Sequence, residues 1–214
     1  MSLSELVRGS ASIQAIADYL DALEASAREA EVTSLDRADQ ARLFEKAGDA
    51  PALTLDAFVP ASVPPLVAVH HPGRNTIATL ETFQRFQKRF TRPSAQADEL
   101  WGYNASNAFF VKPGYFVAYE TRLCERQESW RSRGGVVVDY HRVPPAGAAL
   151  PEGWPRVVPS SVGLQRFVYH LTRDFMRRVS AHATIGRASR EDDKGDRILD
   201  YWFTLCRQDR RDAP

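Results

Sequence analysis

Residues 160–179, SSVGLQRFVYHLTRDFMRRV, carry the clearest helical pattern in the chain. Ser160 and Ser161 follow Pro159 and are suited to capping a helix N-terminus, because their hydroxyls can accept hydrogen bonds from free backbone amides. Apolar residues recur at spacings of three, four and seven, which places them on one stripe of a 3.6-residue helix: Leu164, Phe167, Val168, Leu171, Phe175 and Val179. The pattern predicts a long amphipathic helix that covers an apolar surface.

The residues after this helix are typical of a β-hairpin. Residues 181–185 alternate apolar and polar side chains, as a half-buried strand does. Residues 190–197 are too polar and charged to be buried, so they are interpreted as a solvated loop. Residues 198–207 are rich in aromatic and aliphatic side chains and predict a central strand.

The middle of the chain also indicates β-structure. Residues 109–111 and 115–119 flank Lys112-Pro113-Gly114, a compact hairpin signal, and residues 135–141 predict a further strand. Strands that arrive as hairpins, with helices before and after them, are typical of α+β proteins. The predicted fold is therefore an antiparallel, curved sheet with a long helix from the C-terminal half of the chain packed across it.

The first fifty residues predict two helices, over 12–31 and 35–47, because apolar residues recur there at helical spacing. We expect a domain organisation in which 1–50 is an N-terminal helical hairpin packed on the core and 51–214 is the α+β core domain. Within that core, Ile77, Leu80, Phe83, Phe86 and Phe90 predict another helix, which begins at Asn75 and is ended by Pro93.

Composition argues against several classes of protein. The 214 residues carry a net charge of +1, so no overall field favours binding to nucleic acid. The sequence has no run of roughly 18 apolar residues that would predict a membrane-spanning helix, and its first residues lack the pattern of a secretory signal, so we expect a cytoplasmic protein. The two cysteines, Cys124 and Cys206, are too few for a disulfide framework or a structural zinc site.

The first candidate site is the turn at residues 70–75. His71 could act as a general acid or base near neutral pH. Arg74 lies at the predicted start of a helix, where it could hold an anion beside free backbone amides. A polar turn whose imidazoles bind the backbone is the alternative.

Two further candidates carry a histidine near an aspartate. Asp139 and His141 share one face of a predicted strand, about 7 Å apart, and would form an acid–base pair if that face points inward. If it points outward, they are solvent-facing strand residues. His170 precedes Asp174 by one turn of the predicted helix, which is either a surface contact or a pair that fixes an imidazole tautomer.

Motifs for cofactors and metals are absent from the sequence. There is no phosphate-binding loop, no G-x-G-x-x-G, no G-x-S-x-G and no H-E-x-x-H. The sequence accordingly predicts neither a cofactor nor a metal site.

The favoured hypothesis is a protein that binds a small, largely apolar ligand in a cavity between helix and sheet. Besides Arg74, the candidate ligand-binding residues are aromatic: Phe109, Tyr115, Tyr119, Tyr140 and Trp202. One alternative is an enzyme with a histidine as general acid or base in the same cavity. The other is an interaction protein without a pocket.

Overall fold

The computed structural model describes residues 1–77, 84–105, 113–124, 128–159, 170–193 and 195–208. These residues form a closed barrel of eight strands, in which every strand is antiparallel to the next in chain order and the last pairs with the first. The strands are β1 (Val69–Asn75), β2 (Arg85–Thr91), β3 (Glu99–Ala105), β4 (Gly114–Glu120), β5 (Val136–Asp139), β6 (Thr172–Arg178), β7 (Ala183–Asp192) and β8 (Gly195–Cys206). Closure of the sheet leaves it without a free edge.

The predicted α+β fold with a long helix packed across a sheet is wrong. The second half of the predicted helix is strand β6, and Leu171 just before it has a positive φ of 60°, which interrupts a helix. Residues 160–169 lie outside the described part of the chain. Phe175 and Met176 are adjacent in sequence and both buried, since β6 is covered on both faces. The apolar residues of β6 therefore do not alternate with polar ones, and their spacing also fits the period of a helix.

The helix predicted from residue 75 is also wrong where the structure describes it. Asn75 ends β1, residues 85–90 belong to β2, and residues 78–83 lie outside the described residues. The side chains of Phe86, Lys88 and Phe90 follow the twofold period of a strand and point into the barrel. Because Lys88 at the middle of this face is charged, the sequence does not show the alternation of apolar and polar residues that identifies a strand.

Other strands agree with the prediction. The strands expected over 115–119, 135–141 and 198–207 are present as β4, β5 and β8, and the sheet is antiparallel as predicted. The first strand of the predicted hairpin, residues 109–111, falls outside the described residues.

Residues 53–59 close one end of the barrel, which we call the plugged end. Leu55–Ala57 is a 3-10 turn, and the ring of Phe58 lies 4.8 Å from that of Phe90 inside the barrel. Backbone groups of the plug are hydrogen-bonded to the barrel: the amide of Leu55 donates to Glu120 Oε1 at 3.3 Å. This end is a packed apolar core that also includes Val69, Leu100, Ala118, Val136, Met176 and Leu205.

Two glycines make room for large rings in the barrel interior. A Cβ at Gly186 would lie 2.3 Å from Phe203 Cζ, and a Cβ at Gly102 would lie 2.4 Å from Phe116 Cε2. No side chain fits at those distances, so glycine at these two positions lets both phenylalanines reach the barrel axis.

Four helices near the N-terminus cover the outside of the barrel: α1 (Leu3–Arg8), α2 (Ile13–Asp21), α3 (Ala25–Ser34) and α4 (Arg37–Lys46). Their apolar faces pack on Ile185 and Trp202, which point outward from β7 and β8. The single helix predicted over 12–31 is thus two helices, and Arg28 donates from Nε to the carbonyl of Leu20 at the end of the first one, at 3.0 Å. The division into 1–50 and 51–214 remains a prediction. A short helix α5 (Glu128–Arg131) precedes β5.

Candidate functional site

A lysine lies inside the barrel at the centre of a hydrogen-bonded group of side chains. Lys88 is 1% exposed. Its Nζ donates to Asn104 Oδ1 at 3.0 Å, to Asp174 Oδ2 at 3.0 Å and to the hydroxyl of Tyr140. That hydroxyl accepts from Asn104 Nδ2 at 2.9 Å and donates to Asp174 Oδ2 at 3.3 Å. We call these four side chains the lysine network.

The barrel brings the network together from different walls. Lys88 and Asn104 face each other on the paired strands β2 and β3. Asp174 points inward from β6, and Tyr140 follows directly after β5. In sequence, Tyr140 lies 52 residues after Lys88 and 34 residues before Asp174. Only closure of the sheet places these side chains in contact.

Burial makes the charge on Lys88 unfavourable. Loss of hydration lowers the pKa of the Lys88 ammonium, and the neighbouring Asp174 carboxylate opposes that shift. Four aromatic rings also surround Nζ, with centroids 4.9 to 5.7 Å away, which favours a cation: Phe86, Phe116, Tyr140 and Phe203. A buried ion pair adds little net stability compared with apolar packing. The presence of the Lys88–Asp174 pair inside the barrel therefore marks a candidate functional site.

A cavity of about 390 Å³ lies against this network, at the end of the barrel opposite the plug. We call this the cavity end. Asn104, Tyr140 and Asp174 form part of the cavity wall, and Lys88 lies directly behind them. The other lining residues are Arg37, Thr76, Ile77, Thr172, Ala188, Arg190, Leu199, Asp200 and Tyr201.

Polarity changes along the cavity. The network supplies polar atoms, while Ala188, Leu199 and the ring of Tyr201 supply apolar wall. Arg37 and Asp200 form an ion pair whose side chains are 53% and 71% exposed, which places that pair at the surface. The cavity therefore joins the solvent-exposed surface to the buried charges.

The structure places His71 at the plugged end, away from the cavity. Its ring is 1% exposed and lies 5.0 Å from that of Phe90. Nε2 is 3.0 Å from the carbonyl oxygen of Phe58, to which it donates in the tautomer that this contact selects. Burial lowers the pKa of His71 to about 3, so the ring is neutral at physiological pH.

Asp139 and His141 lie together on the outside of the barrel. Asp139 accepts from the Tyr119 hydroxyl at 2.9 Å, from the His141 backbone amide at 2.9 Å and from Arg173 Nε at 3.4 Å. His141 Nε2 is 3.8 Å from Glu191 Oε2. Burial and the nearby Arg173 guanidinium lower the pKa of His141. The aspartate thus holds the backbone amide of His141 rather than its imidazole.

His170 is exposed in the turn that leads into β6. Residues 170–174 do not form the helix that would have placed His170 beside Asp174: residue 170 lies in a turn, and Asp174 points into the barrel from β6 as part of the lysine network. No histidine is found among the described residues that line the cavity.

Of the predicted ligand-binding residues, Tyr140 lines the cavity, and the other described ones lie outside the barrel. Arg74 donates to the carbonyl of Ser34 and to Gln84. Tyr115 packs against Tyr103 and Trp154, and Tyr119 bonds to Asp139. Trp202 lies under the N-terminal helices. Phe109 falls outside the described residues.

Sequence reasoning missed Lys88 and Asn104, and it considered Asp174 only as a partner of His170. One signal was available for the lysine: in residues 86–90, it is flanked at two-residue spacing by Phe86 and Phe90. On a strand, that places an ammonium on the same face as two large apolar rings. Nothing local indicated Asn104 or Asp174 as its partners.

Comparison with known proteins finds no match among protein-family models, curated proteins or solved structures. Within the described residues, no helix has the length and apolar character needed to cross a membrane. The same residues contain no group of three or more histidine, cysteine or acidic side chains arranged to hold a metal ion. Function is therefore inferred from the geometry of the site.

Proposed function

We propose that the barrel binds one small, largely apolar molecule at its cavity end, with the polar group of that molecule directed at the lysine network. The observation that carries the proposal is the cavity of about 390 Å³ against Asn104, Tyr140 and Asp174. The plugged end of the same barrel is instead filled by apolar side chains.

The size of the cavity suits this role. An eight-stranded barrel has an interior just wide enough to be filled by side chains or to hold one small ligand. Ligand sites in proteins commonly measure about 300–1,000 Å³ and combine apolar walls with a few polar groups. Ala188, Leu199 and Tyr201 offer apolar contacts here, and Thr172 adds a hydroxyl.

The position of the polar atoms defines the orientation of the ligand. Arg37 and Asp200 lie at the exposed side of the cavity and the lysine network at its buried side, so the inner end of a bound molecule faces the network. Its buried end must then form hydrogen bonds, because leaving polar groups of the network unpaired against an apolar surface would cost about 1–3 kcal/mol for each group. We expect a molecule with an apolar body and one polar terminal group.

Fluorescence titration tests the proposal. N-phenyl-1-naphthylamine, an uncharged fluorophore that brightens in apolar surroundings, should bind the native protein at one site per chain. Leu199→Trp should fill the cavity and weaken binding at least tenfold. Ile198→Trp is the matched control, since Ile198 is the adjacent residue on β8, does not line the cavity and is 44% exposed.

Extraction of the purified protein with organic solvent, followed by mass spectrometry, should yield an apolar molecule that is absent from Leu199→Trp. Equal fluorophore binding by native protein, Leu199→Trp and Ile198→Trp would contradict the proposal. Complete absence of binding would also contradict it and would favour an interaction protein without a pocket.

The histidine-dependent enzyme is not favoured by the described residues, because no histidine among them lines this cavity. The cytoplasmic location and the lack of nucleic-acid binding stay predictions.

A further inference from the structure

We infer that Lys88 forms an imine with an aldehyde group on the molecule that occupies the cavity. This inference rests on the proposed function, because the aldehyde must first be bound against the lysine network. It assigns the ligand to a chemical class, an apolar molecule with a terminal aldehyde.

The position of Lys88 carries the argument. Its Nζ is in direct contact with three side chains, and all three line the cavity. The amine is therefore one side chain away from bound ligand. A shift of Asn104 or Tyr140 would expose it at the inner end of the cavity, where the proposed orientation places the polar group of the ligand.

The choice of residue also supports the inference. The chain contains 24 arginines and four lysines, yet the buried cation that contacts Asn104, Tyr140 and Asp174 is a lysine. A guanidinium stays protonated in proteins, whereas a buried lysine can release its proton and become a nucleophile. Burial lowers the pKa of Lys88, which increases the fraction of neutral amine.

The partners of Lys88 are the groups that imine formation needs. The ammonium transfers one proton to Asp174, and the free lone pair attacks the carbonyl carbon to form the C–N bond. A second proton passes from nitrogen to the former carbonyl oxygen through the hydroxyl of Tyr140. Asp174 then returns its proton to that oxygen, the C–O bond breaks, and water leaves.

This reaction balances without an oxidant or a reductant. The three protons of the ammonium end as two on water and one on the iminium nitrogen. The product carries the same single positive charge as the starting ammonium. It therefore keeps its ion pair with Asp174, 3.0 Å away in the present structure, and its position among the aromatic rings.

Reductive trapping tests the inference on the native chain. The protein is incubated with trans-cinnamaldehyde and sodium cyanoborohydride, and intact mass and peptide mapping locate the adduct. We expect one adduct, on Lys88, in preference to the exposed N-terminus and Lys46. Lys46→Arg should leave this adduct unchanged, and Lys88→Arg, which keeps the charge but cannot form an imine, should abolish it.

A second readout separates this inference from the proposed function. Cinnamyl alcohol has a similar shape but no aldehyde, and it should compete with N-phenyl-1-naphthylamine without forming an adduct. If both molecules compete with the fluorophore and Lys88 is not modified, the imine is refuted while the binding function stands. If neither competes and Lys88 is unmodified, both are refuted.

An adduct found equally on Lys46 and Lys88 would also overturn the inference, because it would reflect general amine reactivity. Asp174→Asn sharpens the test. The amide cannot take the proton from the ammonium, so the rate of trapping at Lys88 should fall at least tenfold. Unchanged trapping in this variant would refute the role of Asp174 in proton transfer.

Discussion

The interior of the barrel is filled differently at its two ends. At the plugged end, residues 53–59 enter the barrel and pack on apolar side chains such as Phe90. At the cavity end, the interior holds an ion pair between Lys88 and Asp174, with empty volume beside it. The same eight strands form both ends, so the difference lies in their inward-facing side chains and in the plug that enters at one end only.

This difference indicates how stability and function are divided in the molecule. Apolar packing at the plugged end supplies free energy of folding. At the cavity end, the interior is less tightly packed and the charged groups are kept away from water. Both features lower the free energy of unfolding.

Removal of one partner of the ion pair has the largest expected effect. Asp174→Leu should lower the free energy of unfolding by about 3–5 kcal/mol, because it leaves the Lys88 ammonium buried without its counter-ion. Lys88→Met combined with Asp174→Leu should recover most of that loss or exceed the native stability, since apolar residues often replace a buried pair without cost. Urea unfolding monitored by tryptophan fluorescence measures both variants. A double variant as unstable as Asp174→Leu would show that the pair itself stabilises the fold.

The same truncation at the two ends should differ in cost. Leu55→Ala should lower the free energy of unfolding by about 2–5 kcal/mol, because Leu55 is 5% exposed within the packed plug. Leu199→Ala should cost about 1 kcal/mol or less, since this side chain is half-buried and already borders a cavity. Equal losses in urea unfolding would mean that the two ends are packed alike.

Acid should destabilise the protein through the plugged end. The pKa of His71 is about 3 in the folded protein, against about 6.5 in an unfolded chain. Below pH 6.5 the unfolded state binds the proton first, so stability should fall by about 1.4 kcal/mol for each pH unit down to pH 3. Above pH 6.5 both states are neutral and this contribution is constant.

Unfolding free energies at pH 7 and pH 5 measure this effect. His71→Gln, which keeps a donor for the carbonyl of Phe58 but does not titrate, should lose about 2 kcal/mol less between the two pH values than the native protein does. His170→Gln, at an exposed position, is the control and should follow the native profile. A native profile in His71→Gln would show that its imidazole does not titrate as inferred.

Parts of the site could be predicted from sequence, and other parts could not. Tyr140 is one of the aromatic residues predicted to bind a ligand, and it lines the cavity. Histidines were selected because they titrate near neutral pH, yet His71 is enclosed in the plug and His141 lies outside the barrel. Lys88 falls within the helix predicted from residue 75, where nothing in the pattern indicates that its side chain is buried. A single inward lysine on a strand is indistinguishable from a surface lysine until its neighbours across the barrel are known.

The sequence by itself determined the antiparallel strands β4, β5 and β8, because alternation, β-branched residues and glycine-containing turns act over a few residues. The tertiary structure alone decided that the sheet closes, since closure depends on the pairing of β1 with β8, more than 120 residues apart. It also decided that β6 is a strand, because burial of both faces removes the period by which a strand is recognised. The lysine network follows from the same cause: Lys88 and Asp174 lie 86 residues apart in sequence, and only a closed barrel makes them neighbours.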